Sequence, residues 1–331
     1  MPSPPKIYFH GSNHFVTTSV EEGFVFPPNP LINTLLEKCV AQAQELHPVI
    51  IHHKIFTSTH VHMTMTVIDP QDASDFMERF KCESANAVNR LLGRERKTVW
   101  CEDYDSPLID DPETMIAKIV YIYENPSRDG LVDSIDSYPG VCSWQQLVSC
   151  ASGRGAAEKR HETRAIPRNA FTQLPEDRFL KEEDYRRLKR KVIRKRKKRF
   201  YTVDCNGWMK RFGITDRKEQ LAINRAIVER VRMQEEEHRR ERQRRGMGVI
   251  GRRKLVQRPV GTPYTPKRSG RKMLTHSNDP EKRRETLKWM MALIRHGREV
   301  QEQWRQGDMT VSYPMGLFPP TGMRLVEPIC W

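Results

Sequence analysis

The chain reads as an α+β protein, an antiparallel sheet with packed helices followed by a mainly α-helical, basic region. Three observations carry this reading. The stretch Thr59-His60-Val61-His62-Met63-Thr64-Met65-Thr66-Val67 alternates polar and apolar residues without a break, the period of a half-buried strand. Asx-Pro pairs at Asn29-Pro30, Asp69-Pro70 and Asp111-Pro112 each precede a helical apolar pattern. Charge then divides the chain: residues 1–150 hold 11 Lys and Arg against 20 Asp and Glu, a net of −9, and the remainder holds 46 against 22, a net of +24. The expected organisation is a catalytic-type domain over 1–150, a linker over 151–180 and a basic, mostly helical nucleic-acid-binding region over 181–331.

Taken in order, residues 14–20 are β-branched enough for a first strand. Asn29-Pro30 starts a helix that buries Leu31, Leu35, Leu36, Cys39 and Val40, and His47-Pro48 ends it. A strand over 49–56 pairs as a hairpin with the His-Val-His strand through Thr57-Ser58-Thr59. Asp69-Pro70 opens a helix with Phe76, Phe80, Val88, Leu91 and Leu92 on its apolar side. A strand falls within 99–109, and the helix after Asp111-Pro112 runs to Asn125. Its core side holds Met115, Ile116, Ile119 and Tyr123; its polar side holds Lys118, Tyr121, Asn125 and Arg128.

The polar faces carry the candidate chemistry. His60 and His62 project side by side from one strand face, where neutral imidazoles can share a divalent metal; an ordinary polar strand face is the other reading. Tyr121 and Asn125, four residues apart, stand one above the other on a helix. Packed near the His-Val-His strand, that helix would offer the Asn125 amide oxygen to the metal and aim Tyr121 at whatever the metal holds. Lys118 and Arg128 share the face as phosphate contacts or solvated charges. His52 and His53 sit on the paired strand.

These segments resemble the single-tyrosine HUH transposases, most closely the branch of REP-associated tyrosine transposases. The resemblance spans about residues 8–145 and rests on His60-Val61-His62-Met63, on Phe76-Met77-Glu78-Arg79-Phe80-Lys81, on Tyr121 through Val132 (which includes Asn125-Pro126 and Gly130), and on Asp136-Ser137-Tyr138-Pro139. It implies a ferredoxin-like antiparallel sheet with helices on one side, Mg²⁺ or Mn²⁺ held by His60, His62 and Asn125, and Tyr121 as the nucleophile. The implied activity is cleavage and rejoining of single-stranded DNA through a 5′-phosphotyrosine, at hairpin or repeat sequences. Three segments depart from the pattern. Ser58-Thr59 replaces Pro-Asn, an acidic run follows Trp100, and Val141-Cys142-Ser143-Trp144 replaces Trp-Ser-Ser-Tyr.

In the back half, residues 182–199 form a helix candidate whose end carries Lys189, Arg190, Lys191, Arg194, Lys195, Arg196, Lys197, Lys198 and Arg199, a phosphate-tracking surface or a solvated run. Phe200, Tyr201 and Trp208 either stack on unpaired bases or form a small core. Asp216 caps a helix to about Arg245 whose far half is too charged to bury, and a last helix spans 280–305. The ending from Phe318 to Leu325 resembles the tails of longer transposase relatives.

Seven cysteines without a Cys-x-x-Cys argue for a reducing, cytoplasmic setting. No apolar run reaches the length of a membrane span, and the Pro-rich start lacks the apolar region of a signal peptide. Expected partners are single-stranded or hairpin DNA, with the protein a monomer or homodimer. Two rivals stand beside this reading: a transposase-derived DNA- or RNA-binding regulator whose chemistry has lapsed, and a nickase of the replication-initiator or relaxase type. The second usually carries three histidines and a helicase region, which are not found here.

Overall fold

The computed structural model describes residues 5–21, 25–92, 98–164, 198–259, 262, 264 and 273–323. Strands β1 (Asn13–Ser19), β2 (Val49–Phe56) and β3 (His60–Val67) form an antiparallel centre, with β3 in the middle. β4 (Leu108–Ile109) continues from β1, and the sheet is widened by β5 (Glu158–Arg164), β6 (Lys198–Asp204) and β7 (Thr275–His276). The order is β5-β6-β2-β3-β1-β4-β7, seven strands among the described residues. β6 joins β2 in parallel and β7 joins β4 in parallel, so the sheet is mixed.

The three Asx-Pro starts are helix starts. In α1 (Pro30–Leu46) the Asn29 side chain accepts from the Leu31 and Ile32 amides, and in α2 (Pro70–Leu91) Asp69 accepts from Gln71 and Asp72. In α3 (Pro112–Arg128) Asp111 accepts from the Thr114 amide at 2.7 Å. Each cap satisfies amides that the first helical turn leaves without partners, and each proline sits where no amide is needed. α3 runs three residues beyond the expected end at Asn125. Pro126 removes one helical hydrogen bond, yet Asp129 N–H still bonds the Asn125 carbonyl at 2.9 Å, and Gly130, at φ +66°, turns the chain out of the helix.

Helices cover both faces of the sheet, not one. α1 and α2 lie on the face of Val61, Met63, Met65 and Val67. The opposite face, that of His60, His62, Thr64 and Thr66, is covered by α3 and the short 3-10 segment Gly207–Phe212, and α5 (Arg217–Arg244) packs outside them on α3 and α4 (Trp144–Ala151). The physical reason is the apolar side of α3: Met115, Ile119, Ile122 and Tyr123 find Phe15 and Ile55 on the His-bearing face and bury there with Trp144 and Trp208. β3 is therefore covered on both sides, with His62 and Thr64 buried.

Further differences follow from long-range pairing. The expected strand in 99–109 shrinks to Leu108–Ile109 plus single bridges Trp100↔Val20 and Asp105↔Thr17. Residues 158–164, within the expected linker, pair with β6. Lys198 and Arg199 begin that strand instead of ending a helix, paired to Glu162 and Glu45; Lys189, Arg190, Lys191, Arg194, Lys195, Arg196 and Lys197 lie outside the described residues. Tyr201 and Trp208 are core, and Arg160 stacks on Phe200 with its guanidinium carbon 3.8 Å from the ring centroid.

α5, capped by Asp216, buries part of its far half by satisfying charge rather than avoiding it. The Glu235 carboxylate accepts from the Ile135 amide and from Arg232, and Arg242 donates to the Ser127 carbonyl and, at 2.8 Å, to Asp133. α6 (Arg252–Gln257) follows, and α7 (Pro280–Arg305) packs Met290, Ile294 and Val300 on Ile7, Leu108, Tyr313 and Leu317. No helix among the described residues is long and apolar enough to cross a membrane.

A bulge in β2 between Ile51 and His53 turns both His52 and His53 into the protein. Tyr123 O–H donates to His53 Nδ1 at 2.8 Å, and His53 Nε2–H donates to the Cys205 carbonyl at 3.1 Å, so both side chains are held neutral. Burial pulls His14 and His52 down to about 4 and His53 to about 3. An unfolded chain binds these protons near pH 6.5 and the folded one refuses them until lower pH, so stability is full above the unfolded value and falls as pH drops through it. By pH 5 each such histidine is expected to cost about 2 kcal/mol, and urea midpoints at pH 7.5 and 5.0 check this. An unchanged midpoint rules it out.

Candidate functional site: imidazoles, an amide and a phenol on one sheet face

The site is assembled across β1, β3 and α3. Register places Thr17 of β1 opposite His62, and the Thr17 hydroxyl lies 2.9 Å from His62 Nδ1. The Thr59 hydroxyl lies 3.0 Å from His60 Nδ1. With both Nδ1 atoms engaged by hydroxyls, the ring orientations are fixed from behind. The two ring centroids are 4.5 Å apart.

α3 brings the other pair. In the amide orientation that satisfies its neighbours, Asn125 Oδ1 lies 3.3 Å from His62 Nε2 and accepts from Arg128 at 2.7 Å, while Nδ2 donates to Asp129 at 3.1 Å. Asn125 is fully buried. Tyr121, half-buried, stands edge-on to His62 and Phe15 with centroid separations of 5.3 and 5.9 Å. The Arg128 guanidinium carbon is 4.3 Å from the centre of the Tyr121 ring, and Lys118 Nζ is 5.8 Å from it. Tyr121, Lys118, Glu124, Arg230, Met233 and Asn278 line a cleft of about 410 Å³. The four expected residues thus meet, and the two expected cations flank them.

The electrostatics favour neutral imidazole. Burial first, then His60, Arg128 and Lys118, hold His62 well below the ordinary histidine range. Burial lowers Lys118 as well. Burial raises Glu124 despite the nearby His238 and Arg128.

Two imidazole nitrogens and an amide oxygen suit a divalent ion. Their 3.3 Å Nε2 to Oδ1 spacing matches the about 3 Å between adjacent ligands of an octahedral Mg²⁺ or Mn²⁺. Among the described residues no three His, Cys, Asp or Glu side chains converge on one point. All three donors here are neutral, so a cation would need negative charge from a phosphate to be held firmly.

Sequence reasoning missed several neighbours. Phe15 and Thr17 share the His-bearing face by the period of two, a signal that needs only the β1–β3 pairing. His276, whose ring is 6.1 Å from Phe15 and which burial and Lys118 pull down to about 3, arrives from β7. Arg230 and His238 arrive on α5, His238 lying 3.5 Å from Glu124. No local pattern announces these residues. His52 and His53 belong to the β2 network instead.

No family model matches the sequence, and no curated protein matches it. Among solved structures the chain is similar to one described as "Structure of the REP associates tyrosine transposase bound to a REP hairpin", with a TM-score of 0.38 and 19% sequence identity, over 45% of this chain and 86% of that one.

Proposed function

We propose that this chain is a metal-dependent, single-tyrosine transferase that cuts and rejoins single-stranded DNA, at hairpin or repeat sequences, acting in the cytoplasm as a monomer or homodimer. One observation carries the reading: the Tyr121 phenol, the His60 and His62 imidazoles and the Asn125 amide meet on one sheet face beside Lys118 and Arg128.

His60, His62 and Asn125 would hold Mg²⁺ or Mn²⁺, which supplies Lewis acidity to a phosphate's non-bridging oxygens. The remaining work falls to the chain's own groups. Thr17 and Thr59 keep the imidazoles oriented, and burial keeps His62 uncharged. Lys118 and Arg128 attract and seat the phosphodiester next to the phenol. Tyr121 Oη gives up its proton to solvent and forms a bond to phosphorus, the bond from phosphorus to the 3′ oxygen breaks, and that oxygen leaves with the electron pair and takes a proton. The tyrosyl ester stores the bond energy, so another 3′-hydroxyl reverses the step and joins strands without ATP.

The test is a labelled single-stranded hairpin oligonucleotide with Mn²⁺. A covalent adduct is expected with the native chain and none with Tyr121→Phe, with binding retained in both. An adduct surviving in Tyr121→Phe overturns the assignment, and binding without any adduct in the native chain favours the lapsed regulator.

A further inference from the structure

Arg128 holds the one oxygen that a metal at this site would need. Its terminal nitrogen donates to Asn125 Oδ1 at 2.7 Å. The same guanidinium lies across the Tyr121 ring, 4.3 Å from its centroid. Two acidic groups also reach it: Glu124 is 3.8 Å from Nη1 and Asp129 is 3.5 Å from Nε, and Asp129 accepts from the Asn125 amide nitrogen at 3.1 Å as well. Arg128 therefore has two sets of partners, the Asn125 oxygen with the Tyr121 ring, and the two carboxylates.

The metal donors themselves bring no negative charge. A guanidinium is permanently protonated, and its planar fork suits a phosphate as well as an amide oxygen. Two unit cations about 4 Å apart near a protein surface repel by enough to change an affinity more than about tenfold. Arg128, as placed, opposes a second cation at the imidazoles.

We infer, on the proposed metal reading of this site, that Arg128 is its resident cation: it occupies the Asn125 oxygen while the protein is alone, and an arriving DNA phosphodiester draws it off, so that DNA and divalent metal load together. The coupling is reciprocal, each ligand tightening the other by the same factor. An unloaded site of this kind holds its phenol beside a bound arginine and not beside a metal, which restrains Tyr121 until DNA is present.

Mn²⁺ binding to the full chain, followed by the electron paramagnetic resonance signal of the free ion, tests this without activity. Arg128→Met is expected to bind Mn²⁺ about tenfold more tightly than the native chain without DNA. Saturation with a single-stranded DNA oligonucleotide is expected to tighten Mn²⁺ binding to the native chain by a larger factor than to Arg128→Met, in which only the charge of the phosphate itself contributes. Arg128→Lys, which keeps the charge but not the fork, serves if the Met variant does not fold, and is expected to lose most of the DNA coupling. Unchanged or weaker Mn²⁺ affinity in a folded Arg128→Met, or equal coupling in all chains, overturns the inference. His62→Ala separates the two levels. If it binds Mn²⁺ as the native chain does, the metal site itself is wrong; if it loses Mn²⁺ while Arg128→Met gains nothing, only the role of Arg128 fails.

Discussion

Replacing His62 by Ala is expected to slow formation of the Tyr121 adduct by about 10³-fold, the loss typical when a preorganised group facing transition-state charge is removed. The reason is positional. His62 is the member of the site that touches all the others: Thr17 at Nδ1, Asn125 at 3.3 Å from Nε2, the Phe15 ring stacked at 5.3 Å and the Tyr121 ring edge-on. Thr17→Val, which leaves the imidazole in place but frees its tautomer, is expected to cost about 10- to 100-fold. His53→Gln provides the contrast. That histidine, on the neighbouring strand, bonds Tyr123 and the Cys205 carbonyl, so its loss lowers stability while the adduct rate of the folded fraction stays put. Equal rates for His62→Ala and the native chain remove the imidazole from the chemistry.

The difference between those two histidines marks where sequence reasoning stops. His60 and His62 were legible because an unbroken alternation fixes their face, and Tyr121 with Asn125 because a helical turn fixes theirs. The helix starts were equally plain, since Asn29, Asp69 and Asp111 each stand one residue before a proline and each caps its helix. His53 faces the protein because of a bulge, a register slip that leaves no mark in composition. β5 and β7 reach the sheet edges through pairings whose partners lie far along the chain. α5 hid its contact surface behind charge: Glu235 and Arg242 read as solvent-facing, yet their partners are the Ile135 amide and the Ser127 carbonyl, groups every sequence contains and no pattern flags. The one-sided helix layer failed for the same reason. The His-bearing face looked polar in β3 alone and became apolar once Phe15 and Ile55 from neighbouring strands were added.

Trp144→Ala is expected to destabilise the protein by about 3–5 kcal/mol, the range for truncating a buried large aromatic. The ring is fully buried, 5.1 Å from Tyr123 and with the Arg232 guanidinium carbon 5.0 Å from its centroid. Its Nε1–H donates to Asp136 at 2.7 Å, and Asp136 in turn pairs with Arg232. Asp136 is held below the usual carboxylate range: burial opposes this, and the bonds from Trp144 and Arg232 outweigh it. Trp144 thus joins α3, α4 and α5 where the chain leaves Asn125 and Arg128. Trp144→Phe keeps most of the packing and leaves Asp136 one donor short, so it is expected to cost only about 1–2 kcal/mol. Urea unfolding measures both variants. A ratio near one between them would assign the stabilisation to the hydrogen bond alone. The expected gap instead assigns most of the stabilisation to the packing of the Trp144 ring between Tyr123 of α3 and Arg232 of α5.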